Sequence, residues 1–199
     1  MGSQRFFAML SIALVACAIP VAKAPVGKEP DDIRVTETFD YYEIGGRSVP
    51  SLWQNISLRG PRTGETPWAG HAKWDVRWTY DWRASAQGCH VEDADAKLSI
   101  TYTLPRWSGR NDADIELRDK WDRFSVALRV HEEGHGANGR RAAQRIKSAL
   151  RGLEAKPTCE GLAGAAEALA KTIIDEEAEN DRTYDNATTH GLKQGVILR

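Results

Sequence analysis

The segment from Val130 to Gly139 (VHEEGHGANG) contains His131, Glu132 and His135 in the pattern His-Glu-x-x-His. On an α-helix, residues four apart lie on the same face, so the two imidazoles could bind one zinc ion. The glutamate projects about 100° further round the helix and can contact a water molecule held by the ion. This spacing predicts zinc-dependent hydrolysis of a peptide bond, with Glu132 as the general base that passes the proton to the leaving amine.

An apolar stripe runs through these histidines and predicts the helix that positions them. Apolar residues recur at steps of three, four or seven on both sides of the pair, as on one face of an α-helix. We expect this helix to begin near Asn111 or Asp112, either of which could be its N-terminal cap. The stripe consists of Leu117, Trp121, Phe124, Leu128, Ala142, Ile146, Ala149 and Leu153.

Three glycines, Gly134, Gly136 and Gly139, stand where this helix must continue. Inside a helix each is less favourable than alanine by up to ~1 kcal/mol. Because the stripe resumes in register at Ala142, we expect the helix to run through them. Crowding around a metal ion would explain why these positions carry no side chain.

A catalytic zinc ion needs a third protein ligand and one open position. His190 is the preferred candidate because it lies in a polar, glycine-ended segment (YDNATTHG, 184–191) that could fold back over the active helix. Glu176, on the expected inward face of a second helix, and Asp185 are the alternatives. Tyr184 is a candidate stabiliser of the oxyanion in the transition state, or else it packs at the helix end.

Other residues narrow the class of site. A metzincin would continue with glycine at position 138 and histidine at 141, whereas this chain has Asn138 and Arg141, which excludes that subclass. His71 and His90 fall in or near predicted strands, where we expect them on the surface. Glu133 is expected to be an ordinary polar residue.

The segments that flank the long helix predict an α+β fold. Residues 71–82 and 96–104 alternate between apolar and polar positions, and we expect them to pair as an antiparallel hairpin. The tryptophans of the first segment are interpreted as sheet core rather than as a substrate groove. A further strand is expected at 33–44, a short helix at 51–58 and a second long helix at about 160–182. The predicted class is therefore an antiparallel sheet followed by two long helices.

The composition is that of an ordinary globular protein. The chain has 199 residues, of which 41% are hydrophobic and 28% charged, and its net charge is −1. This length predicts one domain, at residues 33–199, after a flexible segment at 25–32. Because there is no surplus of positive charge, nucleic acid is not an expected partner. We expect a monomer that acts on a protein or peptide.

The N-terminal residues predict export. An apolar run from Phe6 to Ile19 is too short to span a membrane and is typical of a secretory signal. A cut that removes residues 1–24 would release a soluble periplasmic or secreted protein, which is the preferred interpretation. The alternative is a lipobox at Leu14–Cys17, which would leave Cys17 lipidated in an outer-membrane lipoprotein.

Two cysteines remain outside the signal, Cys89 and Cys159. An even pair in an oxidising compartment predicts a disulfide. It would close a loop of about 70 residues and contribute on the order of 3–4 kcal/mol if it acts by restricting the unfolded chain.

The chain resembles a bacterial family of predicted secreted zinc-dependent proteases that is catalogued as a domain of unknown function. The similarity covers about residues 33–195 and includes WDVRWTY, LPRW, HEEGH and YDNATTHG followed by LKQG. The resemblance implies a zincin-like fold, with His131 and His135 as ligands and Glu132 as the base. The closing Tyr-Asp…His-Gly segment of the family corresponds to residues 184–191, which favours His190 as the third ligand.

Two other functions are compatible with the same features. The first is a cell-envelope protein that zinc stabilises without catalysis, which a fourth protein ligand would favour. The second is a peptide- or glycan-binding module whose tryptophan face holds the ligand. Such a module would fold without zinc.

Overall fold

The computed structural model describes residues 33–199. The predicted signal at 1–24, with Cys17, and the predicted flexible segment at 25–32 lie outside the described residues. In the described part of the chain, no helix is both long enough and apolar enough to cross a membrane.

The described residues form one small mixed sheet, a short hairpin and three α-helices. The strands are β1 (Arg34–Ile44), β2 (Arg62–Thr63), β3 (Thr66–Pro67), β4 (His71–Ser85) and β5 (Gly88–Trp107). The helices are α1 (Val49–Arg59), α2 (Ile115–Arg151) and α3 (Cys159–Thr188), with single 3-10 turns at Arg110–Asp112 and Leu192–Gln194. The predicted α+β class is confirmed.

The three long strands lie in the order β1-β5-β4. The predicted hairpin is confirmed, because β4 pairs with β5 in antiparallel register. The prediction of a wholly antiparallel sheet is wrong, since β1 is parallel to β5. The chain leaves β1, passes through α1 and the β2–β3 hairpin, and returns in β4. The strand that follows the β4–β5 turn therefore runs in the same direction as β1.

The tryptophans of β4 pack mainly against the core, as predicted. Trp74 and Trp78 are partly buried against the cluster that the sheet forms with α2 and α3. Trp82 is an exception, since it is 54% exposed. The register with β5 shifts between Asp81 and Trp82, so a β-bulge ends the alternation there.

Helix α2 runs without a break through the three glycines, as expected, but it begins later than predicted. Its N-terminal cap is Asp114, whose carboxylate accepts a hydrogen bond of 2.8 Å from the backbone of Leu117. Neither Asn111 nor Asp112 is the cap, because both belong to a separate 3-10 turn and Ala113 after them is extended.

The glycines of α2 make room for aromatic rings. The expectation that they make room for a metal ion is wrong. A Cβ atom at Gly134 would collide with the ring of Tyr184, and one at Gly136 with the phenol of Tyr102. At Gly139 it would lie 2.8 Å from the indole of Trp74. The missing side chains therefore let β4, β5 and α3 pack closely on α2.

Helix α3 extends six residues beyond its predicted end and is tied to the sheet at its start. Cys89, at the beginning of β5, and Cys159 form the predicted disulfide pair, with Cα atoms 5.0 Å apart. The longer helix has a consequence for the site, because residues 184–188 are helical rather than part of a flexible segment.

Two apolar clusters form the core, and the histidines of α2 fall between them. One cluster joins the sheet to the later half of α2 and to α3. The other joins α1, the first half of α2 and the C-terminal Val196 and Leu198. Leu128 belongs to the second cluster and Ala142 to the first. The segment of α2 that carries His131 and His135 is therefore anchored by one apolar cluster before it and by the other after it.

Candidate metal centre

Three side chains converge where α3 crosses α2. His131, His135 and Asp185 each offer one ligand atom, and these atoms all lie within 4.8 Å of one another. The Nε2 atoms of both imidazoles are 3.2 Å from the same oxygen, Oδ1 of Asp185. Two neutral imidazoles and one carboxylate form a donor set that suits Zn²⁺.

The other ring nitrogen of each histidine has its own partner, which fixes the orientation of the ring. Nδ1 of His131 lies 2.9 Å from Oε1 of Gln194, and Nδ1 of His135 lies 3.0 Å from Oδ1 of Asp181. Asp181 also accepts a hydrogen bond of 2.8 Å from the indole of Trp74 and another from the amide of Asn138. Both Nε2 atoms are thereby turned toward Asp185.

Glu132 is buried beside the start of β4 and is 5% exposed. Its carboxylate accepts a hydrogen bond from the backbone of Ala72. It also packs against Gly70, where a Cβ atom would lie 2.6 Å from Oε1. Burial raises the pKa of Glu132 to about 7, although the nearby His135 and His131 oppose this shift. Burial thus makes this carboxylate a stronger base than an exposed one.

The histidines and acids of the group shift one another's ionisation. Burial alone would lower the pKa of His135, but hydrogen bonds with Asp181 and Asp185 outweigh it and raise that pKa to about 10. Burial alone would raise the pKa of Asp185, but hydrogen bonds with His131 and His135 hold it well below its usual range. The carboxylates therefore favour a positive charge at this point, which a proton or a metal ion could supply.

A cavity of about 600 Å³ opens onto the group, and His131, Glu132, His135 and Asp185 all line it. Its remaining wall is largely aromatic and apolar. That wall includes Trp53, Pro67, Trp68, Ala69, Leu128, Leu192 and Val196. The arrangement provides a small polar floor with apolar sides, as in many small-molecule and peptide sites.

The three candidates for the third ligand occupy different places. Asp185 is in the converging group, whereas His190 lines the cavity with Nδ1 3.7 Å from Oδ1 of Asp185. Glu176 is remote from the group and its carboxylate pairs with Arg145. The expectation that Glu176 continues the inward stripe of α3 is wrong, because the buried residues of this helix continue from Ile173 to Glu177.

Tyr184 lies against the backbone of α2. Its hydroxyl donates a hydrogen bond of 3.2 Å to the carbonyl of His131 and accepts one of 3.0 Å from Nε2 of Gln194. Its ring stacks on His131, with centroids 5.1 Å apart. These contacts correspond to the packing alternative, and Tyr184 does not line the cavity of the metal group.

Sequence reasoning did not find Asp181 or Gln194, and it assigned His71 only to the surface. Asp181 has a signal in the sequence, since Asp181 and Asp185 share the i, i+4 spacing of the two histidines. Gln194 has no comparable signal, because it follows a turn whose path only the structure shows. His71 is exposed but also lines the cavity. Burial, together with His135 and Lys73, lowers its pKa.

Comparison with known proteins gives a family but no function. Residues 39–191 match the family described as "Bacterial protein of unknown function (DUF922)", and the chain belongs to that family. No curated protein and no solved structure matches the chain significantly.

Proposed function

We propose that the protein is a zinc-dependent peptidase with a zincin-like arrangement, in which Glu132 is the general base. The observation that supports this most strongly is the convergence of His131, His135 and Asp185 in a cavity that Glu132 also lines. Asp185 replaces His190 as the proposed third ligand. The helical continuation of α3 favours Asp185, because it sets this carboxylate against both Nε2 atoms.

The donor set suits zinc in charge as well as in geometry. His131 and His135 would supply neutral nitrogens, and Asp185 would supply one negative oxygen. When bound, a zinc ion polarises a carbonyl group and lowers the pKa of water to about 7. Gln194 and Asp181 would hold the two imidazoles in the tautomer that leaves Nε2 available.

The residues of the chain would carry the proton through the reaction. Glu132 takes a proton from the attacking water as the water oxygen forms its bond to the carbonyl carbon. As the bond between carbon and nitrogen breaks, Glu132 passes this proton to the leaving amine. Gly70 and Ala72 hold the carboxylate in place throughout, one by close packing and the other through its backbone N–H.

The two other functions have less support. Within residues 33–199 the group contains three residues, and a structural zinc site would be closed by a fourth. The tryptophans of β4 that would form a binding face, Trp74 and Trp78, pack against the core. We also propose that the protein is exported, either soluble or lipidated at Cys17. The pairing of Cys89 with Cys159 supports an oxidising compartment.

The proposal is tested by replacing the base without disturbing the ligands. Glu132→Gln should keep one zinc ion per chain and lower kcat for an unfolded protein substrate by about 10²–10⁴-fold, because general-base catalysis is lost. Zinc is measured by elemental analysis, and cleavage by the release of new N-termini.

Glu133→Gln is the matched control. It changes the adjacent residue in the same way, but Glu133 pairs with Arg129 on the exposed surface of α2 at 2.8 Å. This variant should cleave as the wild type does. Full cleavage by Glu132→Gln, or equal losses in both variants, would show that Glu132 is not the base.

A further inference from the structure

We propose that His190 is a catalytic residue that donates a hydrogen bond to the carbonyl oxygen of the scissile peptide while negative charge develops on it. The inference rests on the proposed peptidase function. It assigns His190 to the substrate side of the centre rather than to the metal.

The location of His190 places its ring beside the metal group but outside it. His190 lines the same cavity as Glu132, and its Nδ1 lies 3.7 Å from Oδ1 of Asp185. Its nitrogens are not among the atoms that converge within 4.8 Å. A substrate oxygen that approaches the proposed ion would come close to Asp185, and therefore also to the imidazole of His190.

His190 differs from His131 and His135 in its hydrogen bonds. Both ring nitrogens of His131 and of His135 have polar partners within 3.2 Å. Within residues 33–199, the ring of His190 makes no hydrogen bond, and its side chain is 48% exposed. An imidazole carries at least one N–H in either protonation state, so this ring has a donor available for a ligand.

Two features hold the exposed ring in position. It packs against the indole of Trp68, with centroids 4.7 Å apart. Its backbone is left-handed, with φ of 48°, directly after Thr189 with φ of 54°. Residues other than glycine rarely adopt this backbone conformation. Its presence next to a candidate site favours a functional reason.

Local hydrogen bonds fix this strained turn. The backbone N–H of His190 donates to the carbonyl of Asp185 at 2.8 Å, and that of Gly191 donates to the hydroxyl of Thr188 at 3.2 Å. The backbone of the turn therefore connects His190 to Asp185, the residue proposed as the third ligand. A donor oriented before the substrate binds stabilises developing charge without further rearrangement.

The test separates a donor from a ligand and from a packing residue. His190→Ala should retain one zinc ion per chain and lower kcat about 10²–10³-fold, with KM changed less than about threefold. His190→Gln, which restores an N–H donor, should recover part of kcat. His190→Gly removes the donor and accommodates the left-handed backbone, so it should match His190→Ala. It is also the variant to use if alanine prevents folding.

A binding measurement gives a readout that does not depend on turnover. A phosphoramidate dipeptide imitates the tetrahedral, negatively charged transition state. Its Kd for the zinc-loaded protein should rise about 10–100-fold in His190→Ala, because a hydrogen bond to a charged group is lost. His90→Ala, on β5 and outside the cavity, is the matched histidine control and should leave this Kd unchanged.

Each outcome decides either the donor role of His190 or the proposed peptidase function. Loss of zinc from His190→Ala and His190→Gly would overturn the inference and make His190 a ligand. Unchanged kcat and unchanged probe affinity would overturn it in favour of packing. If the wild type binds the probe in a manner that depends on His190 but cleaves no peptide, the donor role stands and the proposed function fails. No binding of the probe by the zinc-loaded wild type would overturn the inference.

Discussion

Two acidic regions lie along the contact between α2 and α3, and they differ in the basic residues that face them. The inward carboxylates of α3 recur every four residues, at Glu177, Asp181 and Asp185, so they share one face of the helix. The histidine end of this contact comprises His131, His135, Asp181 and Asp185. The arginine end comprises Arg141, Arg145, Glu176 and Glu177.

The two ends balance negative charge in different ways. Glu177 accepts hydrogen bonds from Arg145 at 2.8 Å and from Arg141 at 3.3 Å, and a guanidinium stays protonated in proteins. In residues 33–199, Asp181 and Asp185 form their ion pairs with histidines, which are charged only when protonated. A divalent ion can replace the proton of an imidazole, but not a guanidinium. The basic partner, rather than the acid, therefore separates a structural region from a candidate metal centre.

The largest effect is expected at the histidine end, from removing the proposed third ligand. Asp185→Ala should weaken zinc binding by more than about 100-fold, the upper end of the range for residues that only orient ligands. The measurement is competition with a chelator of known affinity, and peptide cleavage should be lost in parallel. Retention of zinc by Asp185→Ala, together with its loss from His190→Ala, would restore His190 as the third ligand.

A smaller effect is expected from Asp181, which contacts the histidine but not the proposed ion. Asp181→Ala should weaken zinc binding by about 10–100-fold, because Nδ1 of His135 loses the partner that orients the ring. Asp181→Asn keeps the shape and can still accept a hydrogen bond, so it should lie between the wild type and alanine. Equal zinc affinity in all three proteins would show that Asp181 serves only Trp74 and Asn138.

The residues that α2 contributes to the histidine end could be predicted from the sequence, because the spacing of apolar residues identifies the helix and its buried face. The apolar stripe identifies the helix that holds His131 and His135, and the alternation in β4 and β5 identifies their pairing. The disulfide between Cys89 and Cys159 could also be predicted, because these two cysteines form an even pair in an expected oxidising compartment. The parallel position of β1 is a matter of chain path, on which strand patterns carry no information.

The residues that α3 contributes to the two ends were harder to predict, because the spacing of polar residues does not indicate which of them face α2. A polar segment with a terminal glycine is typical of a loop, but residues 184–188 continue α3 because Tyr184 packs on α2. That continuation brings Asp185 into the group and leaves His190 at its edge. Likewise Glu176 and Glu177 are adjacent acids, and only the exact phase of the helix separates the exposed one from the buried one.

Glu177 offers the contrasting test at the arginine end. Glu177→Gln should lower the free energy of unfolding by about 1–2 kcal/mol at pH 7, because the neutral amide keeps one oxygen that accepts from a guanidinium and turns its NH2 group toward the other guanidinium, which can only donate. Zinc affinity should not change. The measurement is urea unfolding of the metal-free protein, and a loss of zinc without a loss of stability would contradict the division between the two ends.

The same variant has a predicted pH dependence. Burial would raise the pKa of Glu177, but hydrogen bonds from Asn180 and Arg145 outweigh it and lower that pKa. A lowered pKa contributes stability that is complete above the pKa of an unfolded glutamate, about 4.3, and is lost as pH falls through the folded value. The stability difference between wild type and Glu177→Gln should therefore be constant near neutral pH and shrink in acid. A difference that grows as the pH falls would contradict this charge assignment.

The smallest effect is expected from Glu176, the ligand candidate that lies outside the group of His131, His135 and Asp185. Its side chain is 53% exposed and pairs with Arg145, which also binds the buried Glu177. Exposed ion pairs contribute about 0–1 kcal/mol, so Glu176→Gln should unfold at nearly the wild-type urea concentration. It should also bind zinc and cleave peptide as the wild type does. Since Glu176 and Glu177 differ by one step along α3, a large loss of zinc from Glu176→Gln would mean that α3 is rotated about its axis relative to α2. Asp185 would then no longer face the histidines, and the distinction between the two ends would fail.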